Sequence, residues 1–132
     1  MSFPFNAKHG PIIVEASLSG PLGQAELRLI LDTGATTSLI RSTLLIAVGY
    51  EPDASPDRIQ VAMGNGIESV PRLPLNRLSG LGEHRLGLAV LAHTLPPATG
   101  IDGLLGLDFL RGSVLTVDFQ TGQIRLTSSG SG

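Results

Sequence analysis

A chain of 132 residues that is 42% hydrophobic and 15% charged, with a formal net charge of -2, is sized for one domain with a reasonable core. That balance offers neither a basic surface for nucleic acid nor an acidic tail. The lack of cysteine excludes disulfides, thiol chemistry and thiolate metal sites, and leaves the compartment open.

The opening MSFPFNAKHG has neither the basic start nor the apolar centre of a targeting segment. From Val14 the chain alternates, with Val14, Ala16 and Leu18 on one face and Glu15 and Ser17 on the other, which predicts a strand. SGPLGQ is a turn. In AELRLIL the alternation returns, with Ala25, Leu27, Leu29 and Leu31 inward and Glu26 and Arg28 outward, so the two strands form a hairpin that delivers the chain to Asp32. RSTLLIAVGY places Leu44, Leu45 and Val48 at helical spacing, with Gly49 ending a short helix. EPDASPD is a loop, and IQVAMGNGIESV reads as two short strands around Gly64-Asn65-Gly66, strong hairpin chemistry.

PRLPLNRL and HRLGLAVL are expected to be two further strands around SGLGE, and TLPPATG a loop. The longest uncharged run, residues 86–101, is broken by Pro96-Pro97 and too short to span a bilayer. GLLGLDFLRG reads as a strand entering one helical turn, and VLTVDFQTGQIRL as a hairpin around Thr121-Gly122. No repeat and no linker divides residues 1–127, which read as one mostly β domain; residues 128–132, SSGSG, read as a flexible tail.

Two motifs stand out. Asp32-Thr33-Gly34-Ala35 ends a strongly alternating strand and is followed by Ser38-Leu39-Ile40. Asp and Gly alone make a turn, but a lone carboxylate between apolar runs is costly to bury. The second motif, Leu104-Leu105-Gly106, could by itself be a core strand ending at a glycine. Together, a strand, Asp-Thr-Gly, a Gly-rich hairpin, then hydrophobic-hydrophobic-Gly and a short helix resemble the retropepsin-like aspartic proteases. These are the retroviral family and its single-domain relatives, and the likeness covers roughly residues 10–127.

The resemblance implies an all-β acid-protease fold: a closed β-barrel with a flap hairpin and one or two short helices, one lobe per chain. It implies Asp32 as the catalytic carboxylate, Thr33 as the threonine that reaches across to a partner subunit, and Gly34 as the glycine that lets backbone approach substrate. Met63, Gly64, Asn65, Gly66 and Ile67 match the flap tip. Leu104, Leu105 and Gly106 match the segment packed behind the active-site loop, with residues 107–111 as the following helix. Substrate contacts are expected from Ala35, Leu39, Leu105 and the flap-tip residues, with Leu104 and Gly106 as structural support. Neither a metal nor a cofactor is implied.

The chemistry of that family needs two carboxylates sharing one proton. Of six aspartates only Asp32 lies in Asp-Thr-Gly; Asp53 and Asp57 lie in the proline-rich loop, Asp102 precedes Gly103, Asp108 is in the expected helix and Asp118 alternates outward on a strand. A chain this short with one motif therefore implies a homodimer with one Asp32 from each subunit on a two-fold axis. The expected activity is endopeptidase hydrolysis of peptides or proteins. Ala35 has no hydroxyl to favour the ionised carboxylate, so mildly acidic to near-neutral conditions are expected to suit it.

Two positions depart from the retroviral pattern. The acidic residue two places after the glycine and the arginine after the second motif's glycine are here Thr36 and Leu107, so terminal strands at 114–119 and 124–126 are expected to hold the dimer. His9, His84 and His93 read as surface or structural residues, and Arg72, Arg77 and Arg85 as solvent faces of strands. An alternative of another class stays open: the same fold used as a dimerisation or peptide-binding module with little turnover.

Overall fold

Short alternating segments punctuated by glycine fold as expected into strands. A computed structural model describes residues 1–94 and 100–128. The strands are β1 (Ser2–Pro4), β2 (Ile13–Gly20), β3 (Gly23–Leu31), β4 (Leu39–Arg41), β5 (Arg58–Met63) and β6 (Gly66–Pro74). They continue with β7 (Arg77–Gly80), β8 (Glu83–Arg85), β9 (Ala89–His93), β10 (Gly103–Leu105), β11 (Ser113–Asp118) and β12 (Gln123–Ser128). Helix α1 (Ser42–Ala47) follows β4, and α2 (Leu107–Leu110) follows β10.

β2 and β3 pair from Ile13↔Ile30 to Gly20↔Gly23, closed by Pro21-Leu22. Their alternation buries Val14, Ala16, Leu18, Leu27 and Leu29. α1 is followed, after Val48, by Gly49, whose φ of +102° is open to glycine at little cost. Gly64-Asn65 joins β5 to β6, with Met63 opposite Gly66. Two expected strands are each divided. PRLPLNRL is shared between β6, which stops at Pro74, and β7. HRLGLAVL is split between β8 and β9 around Gly87, at a φ of +71°. The expected loop at 94–100 lies largely outside the described residues, since only Thr94 and Gly100 are described.

The strands form a three-stranded sheet, β1-β12-β11, and a nine-stranded sheet, β5-β6-β9-β4-β10-β3-β2-β7-β8. Among the described residues the closed barrel expected from the resemblance is not found, because β5 and β8 remain the two edges of the larger sheet. The core is sealed by packing instead: Phe109 and Leu110 of α2 and Ile124 and Leu126 of β12 join Leu18, Leu29 and Ile40 in one buried cluster. β12 runs to Ser128, the first residue of the expected tail, whose hydroxyl donates to Glu83 Oε1 at 2.5 Å. The rest of the expected tail, residues 129–132, lies outside the described residues.

Arg85 departs from its expected role on a solvent face. It is half-buried, donates to Phe109 O (2.9 Å) and Ser113 Oγ (3.1 Å), and lies over the Phe109 ring, so it ties β8 to α2 and β11. Asp118 closes the final hairpin by accepting the N–H groups of Gln120 (2.8 Å) and Thr121 (3.1 Å). Those bonds, from Thr121 first, hold its carboxyl below the ordinary 3.8. A carboxyl depressed by folding contributes stability above its unfolded pKa, lost as pH falls through the lower folded value. Asp118→Asn should therefore melt below the wild type at about pH 6, with the gap closing towards about pH 2; calorimetry across that range checks it.

Candidate active site

β3 carries the chain to Asp32, whose N–H donates to Leu105 O at 2.9 Å and so continues the parallel β3–β10 ladder beyond Leu31↔Leu105. The chain then turns sharply. Ala35 N–H donates to Asp32 O (3.1 Å), and Gly34 N–H donates to Asp32 Oδ1 (3.0 Å). A Cβ at position 34 would stand 3.2 Å from that oxygen, so glycine keeps this side of the carboxylate open. Asp32 and Ala35 are half-buried, while Thr33 and Gly34 are exposed. The carboxylate is not fully buried between the apolar runs; it lies at the partly exposed end of the strand, where the cost of burial is reduced.

The second motif packs directly on this loop. Leu107 N–H donates to Ala35 O (2.8 Å) and Asp108 N–H to Thr36 O (3.2 Å). Only glycines allow the approach: a Cβ at 106 would meet Ala35 O at 2.6 Å, and one at 103 would meet Leu39 O at 1.9 Å. Beneath the loop, Ser38 is 0% exposed. Its hydroxyl donates to Asp108 Oδ1 (2.6 Å) and accepts from Gly106 N–H (2.9 Å), while its own N–H donates to Asp108 Oδ2 (2.9 Å). Phe109 N–H adds a bond to Asp108 Oδ1 (2.8 Å).

Sequence reasoning missed Ser38 and Asp108. The available signal was Asp108 set inside the apolar run GLDFL, with Ser38 at the entry to the apolar pair Leu39-Ile40, since a polar group buried there needs a partner.

Register assigns the neighbouring leucines. Leu104 pairs with Leu39 on one side and Ile30 on the other, and Ile30 pairs with Ile13. Side chains on one strand alternate between faces, so this row shares the face from which Asp32, two places beyond Ile30, emerges. All four are half-buried and stand outside the core cluster. Leu105, expected among the substrate contacts, instead has 0% exposure and packs in the core. Strand phase is the reason: it puts Leu105 inward with Leu29 and Ile40, both also 0% exposed, and leaves the half-buried Leu104 on the opposite face.

The hairpin residues Gly64, Asn65, Gly66 and Ile67 are exposed, Ile67 at 74%, while the Met63 side chain lies outside what is described. No hydrogen bond among the described residues joins this tip to residues 32–35. The hairpin's base is tied by Asp57 and Arg72, 2.8 Å apart, and by Arg58 Nε donating to Ser69 Oγ at 2.9 Å. Among the described residues no group of three His, Asp or Glu side chains is placed to hold a metal. Among the described residues no helix is long and apolar enough to cross a membrane.

Sheet order and the doubly braced Asp-Thr-Gly loop together define a one-lobed β domain of acid-protease type. The chain belongs to the aspartyl protease family, whose model matches residues 14–109 and so includes both motifs. Its fold is similar to that in the crystal structure of a retropepsin-like aspartic protease from Rickettsia conorii. That match has a TM-score of 0.72 and 16% identity, over 96% of this chain and 89% of that one. A search of curated protein sequences finds no match.

Proposed function

We propose that the protein is an aspartic endopeptidase that works as a homodimer, with the two copies of Asp32 sharing one proton. The supporting observation is the setting of Asp32: a half-buried carboxylate at the rim of an apolar row, Ile13, Ile30, Leu39 and Leu104, that the core does not cover. Within the chain its Oδ1 accepts only from Gly34 among the described residues, which leaves Oδ2 for water or a second carboxylate.

In the reading we favour, the ionised Asp32 takes a proton from a water molecule while the protonated copy donates to the scissile carbonyl oxygen. The water oxygen bonds to the carbonyl carbon and gives a tetrahedral intermediate. The carboxylates then exchange roles, one delivering a proton to the nitrogen as the C–N bond breaks. No enzyme-bound covalent species forms. Leu39 and Leu104 would floor the subsites on either side, residues 63–67 would close over the peptide, and the exposed Thr33 and Gly34 are free to meet partner or substrate. The terminal strands, with Val114 at 59% and Phe119 at 61% exposure, offer apolar surface for the second copy.

Dilution tests the shared dyad. Specific activity on a fluorogenic peptide library should fall as concentration drops through the dimer dissociation range measured by sedimentation. A monomer with full activity rules the dyad out. A dimer that binds peptides but cuts none would leave the binding-module reading.

A further inference from the structure

Next to the apolar row, one step further from Asp32 along each strand, the register sets a row of charge. Arg41 pairs with His93, Asp102 lies against both Arg41 and Arg28, and Arg28 pairs with Glu15. Most of this row is internally satisfied. Asp102 Oδ2 accepts Arg28 N–H (2.8 Å), its Oδ1 lies 3.8 Å from Arg41 Nε, and Arg41 Nη2 donates to Ile101 O. The Arg28 guanidinium turns towards Gly100 O, at 3.3 Å. Glu15 is the exception. Although opposite Arg28 in register, it is exposed and forms no ion pair among the described residues.

Space opens at this end of the row. A cavity of about 450 Å³ is lined by Phe3, Phe5, Ile13, Glu15, Arg28 and Leu81 among others. A second, of about 430 Å³, adjoins it through Glu15 and Arg28 and adds Glu26, Leu27 and Asp102. From Ile30 to Arg28 the strand advances two residues, about 7 Å. A group entering from Asp32 would cross aliphatic surface first and reach a carboxylate second. Lysine and arginine have that profile, an apolar stem and a charged head.

We propose that Glu15 is a specificity-determining residue, selecting substrates that carry a lysine or arginine close to the scissile bond. The stem lies on Ile13 and Ile30, and the cation meets the Glu15 carboxylate. The proposal rests on the protease reading and names the substrate class of that site. Arg28 does not cancel the preference: Asp102 is paired with Arg41, the Arg28 guanidinium is turned towards Gly100 O, and the two carboxylates of Glu15 and Glu26 outnumber that one cation in the second cavity.

The test is a positional-scanning set of fluorogenic octapeptides with Lys, Gln or Glu at each place around an apolar cleavage pair. Wild type should prefer Lys to Glu at one position by about five-fold in kcat/KM, the upper range for an exposed ion pair. Raised salt should shrink that ratio. Glu15→Gln should bring it near unity and Glu15→Lys should reverse it. The same peptides are titrated by anisotropy against the Asp32→Asn protein, with and without Glu15→Gln, so the preference is read without turnover. If nothing is cleaved, the protease reading fails while the binding ratios still judge Glu15. Equal Lys/Glu ratios with and without the Glu15 carboxylate, or no binding of any peptide, overturn the proposal.

Discussion

Asp32→Asn is expected to leave a folded dimer that has lost at least about three orders of magnitude in kcat, the scale set by removing general acid–base catalysis. The fold should survive because the asparagine carbonyl can accept the Gly34 N–H now held at 3.0 Å, and because the surrounding ladder bond, Asp32 N–H to Leu105 O at 2.9 Å, is backbone. Chemistry should fail because an amide neither takes a proton from water nor donates one to a carbonyl in the required cycle. The sharper form of the experiment mixes variant and wild type in equal amounts and allows subunits to exchange. With one carboxylate per mixed dimer, only wild-type pairs remain active, about a quarter of all dimers for random pairing. Activity should fall to that fraction of an all-wild-type sample at the same total concentration. A fall to only half would mean that each chain works alone, and unchanged cleavage by the pure variant would discard the aspartic mechanism.

Much of the scaffold was legible because period-two alternation is a local signal. The hairpin of β2 and β3, the glycine-rich hairpin, the short helix before Gly49 and the final hairpin all follow from residues close in sequence. Two kinds of information were not local. Strand phase relative to the core decided that Leu104 faces outward and Leu105 inward, and a run of two leucines carries no alternation to reveal it. Long-range pairing decided the rest: β10 lies between β3 and β4, so Asp102 reaches Arg28 and Ser38 reaches Asp108, seventy residues away. The missing barrel closure has the same origin, since whether β5 and β8 meet depends on sheet curvature rather than on either strand's sequence. Arg85 reads as a surface residue until α2 is placed beneath its guanidinium. Glu15 reads as an ordinary solvent-facing position until register sets it at the open end of a charged row.

Removing the Asp108 side chain should be the most damaging polar change in the fold. Three donors converge on its carboxylate: the Ser38 hydroxyl at 2.6 Å, Ser38 N–H at 2.9 Å and Phe109 N–H at 2.8 Å. Ser38 is fully buried, so Asp108→Ala leaves its hydroxyl without that acceptor and strands two backbone donors. Each orphaned group costs about 1–3 kcal/mol, so a combined loss of about 4 kcal/mol is expected, with the melting temperature lower by more than about 10 °C. Asp108→Asn should cost less, since its carbonyl keeps one acceptor while its NH2 faces a donor. Ser38→Ala should also cost less, because Asp108 and Gly106 each lose one partner rather than three donors losing theirs. The network also holds the loop that presents Asp32, which distinguishes it from ordinary packing. Leu126→Ala, in the core but on β12, destabilises by removing apolar contacts. Assayed well below both melting points, Asp108→Asn should lower kcat by about ten-fold, as expected when a catalytic group is loosened by a fraction of an ångström, while Leu126→Ala leaves it near wild type. Equal kcat in the two variants would reduce the Ser38–Asp108 pair to a stabilising contact with no part in positioning the carboxylate.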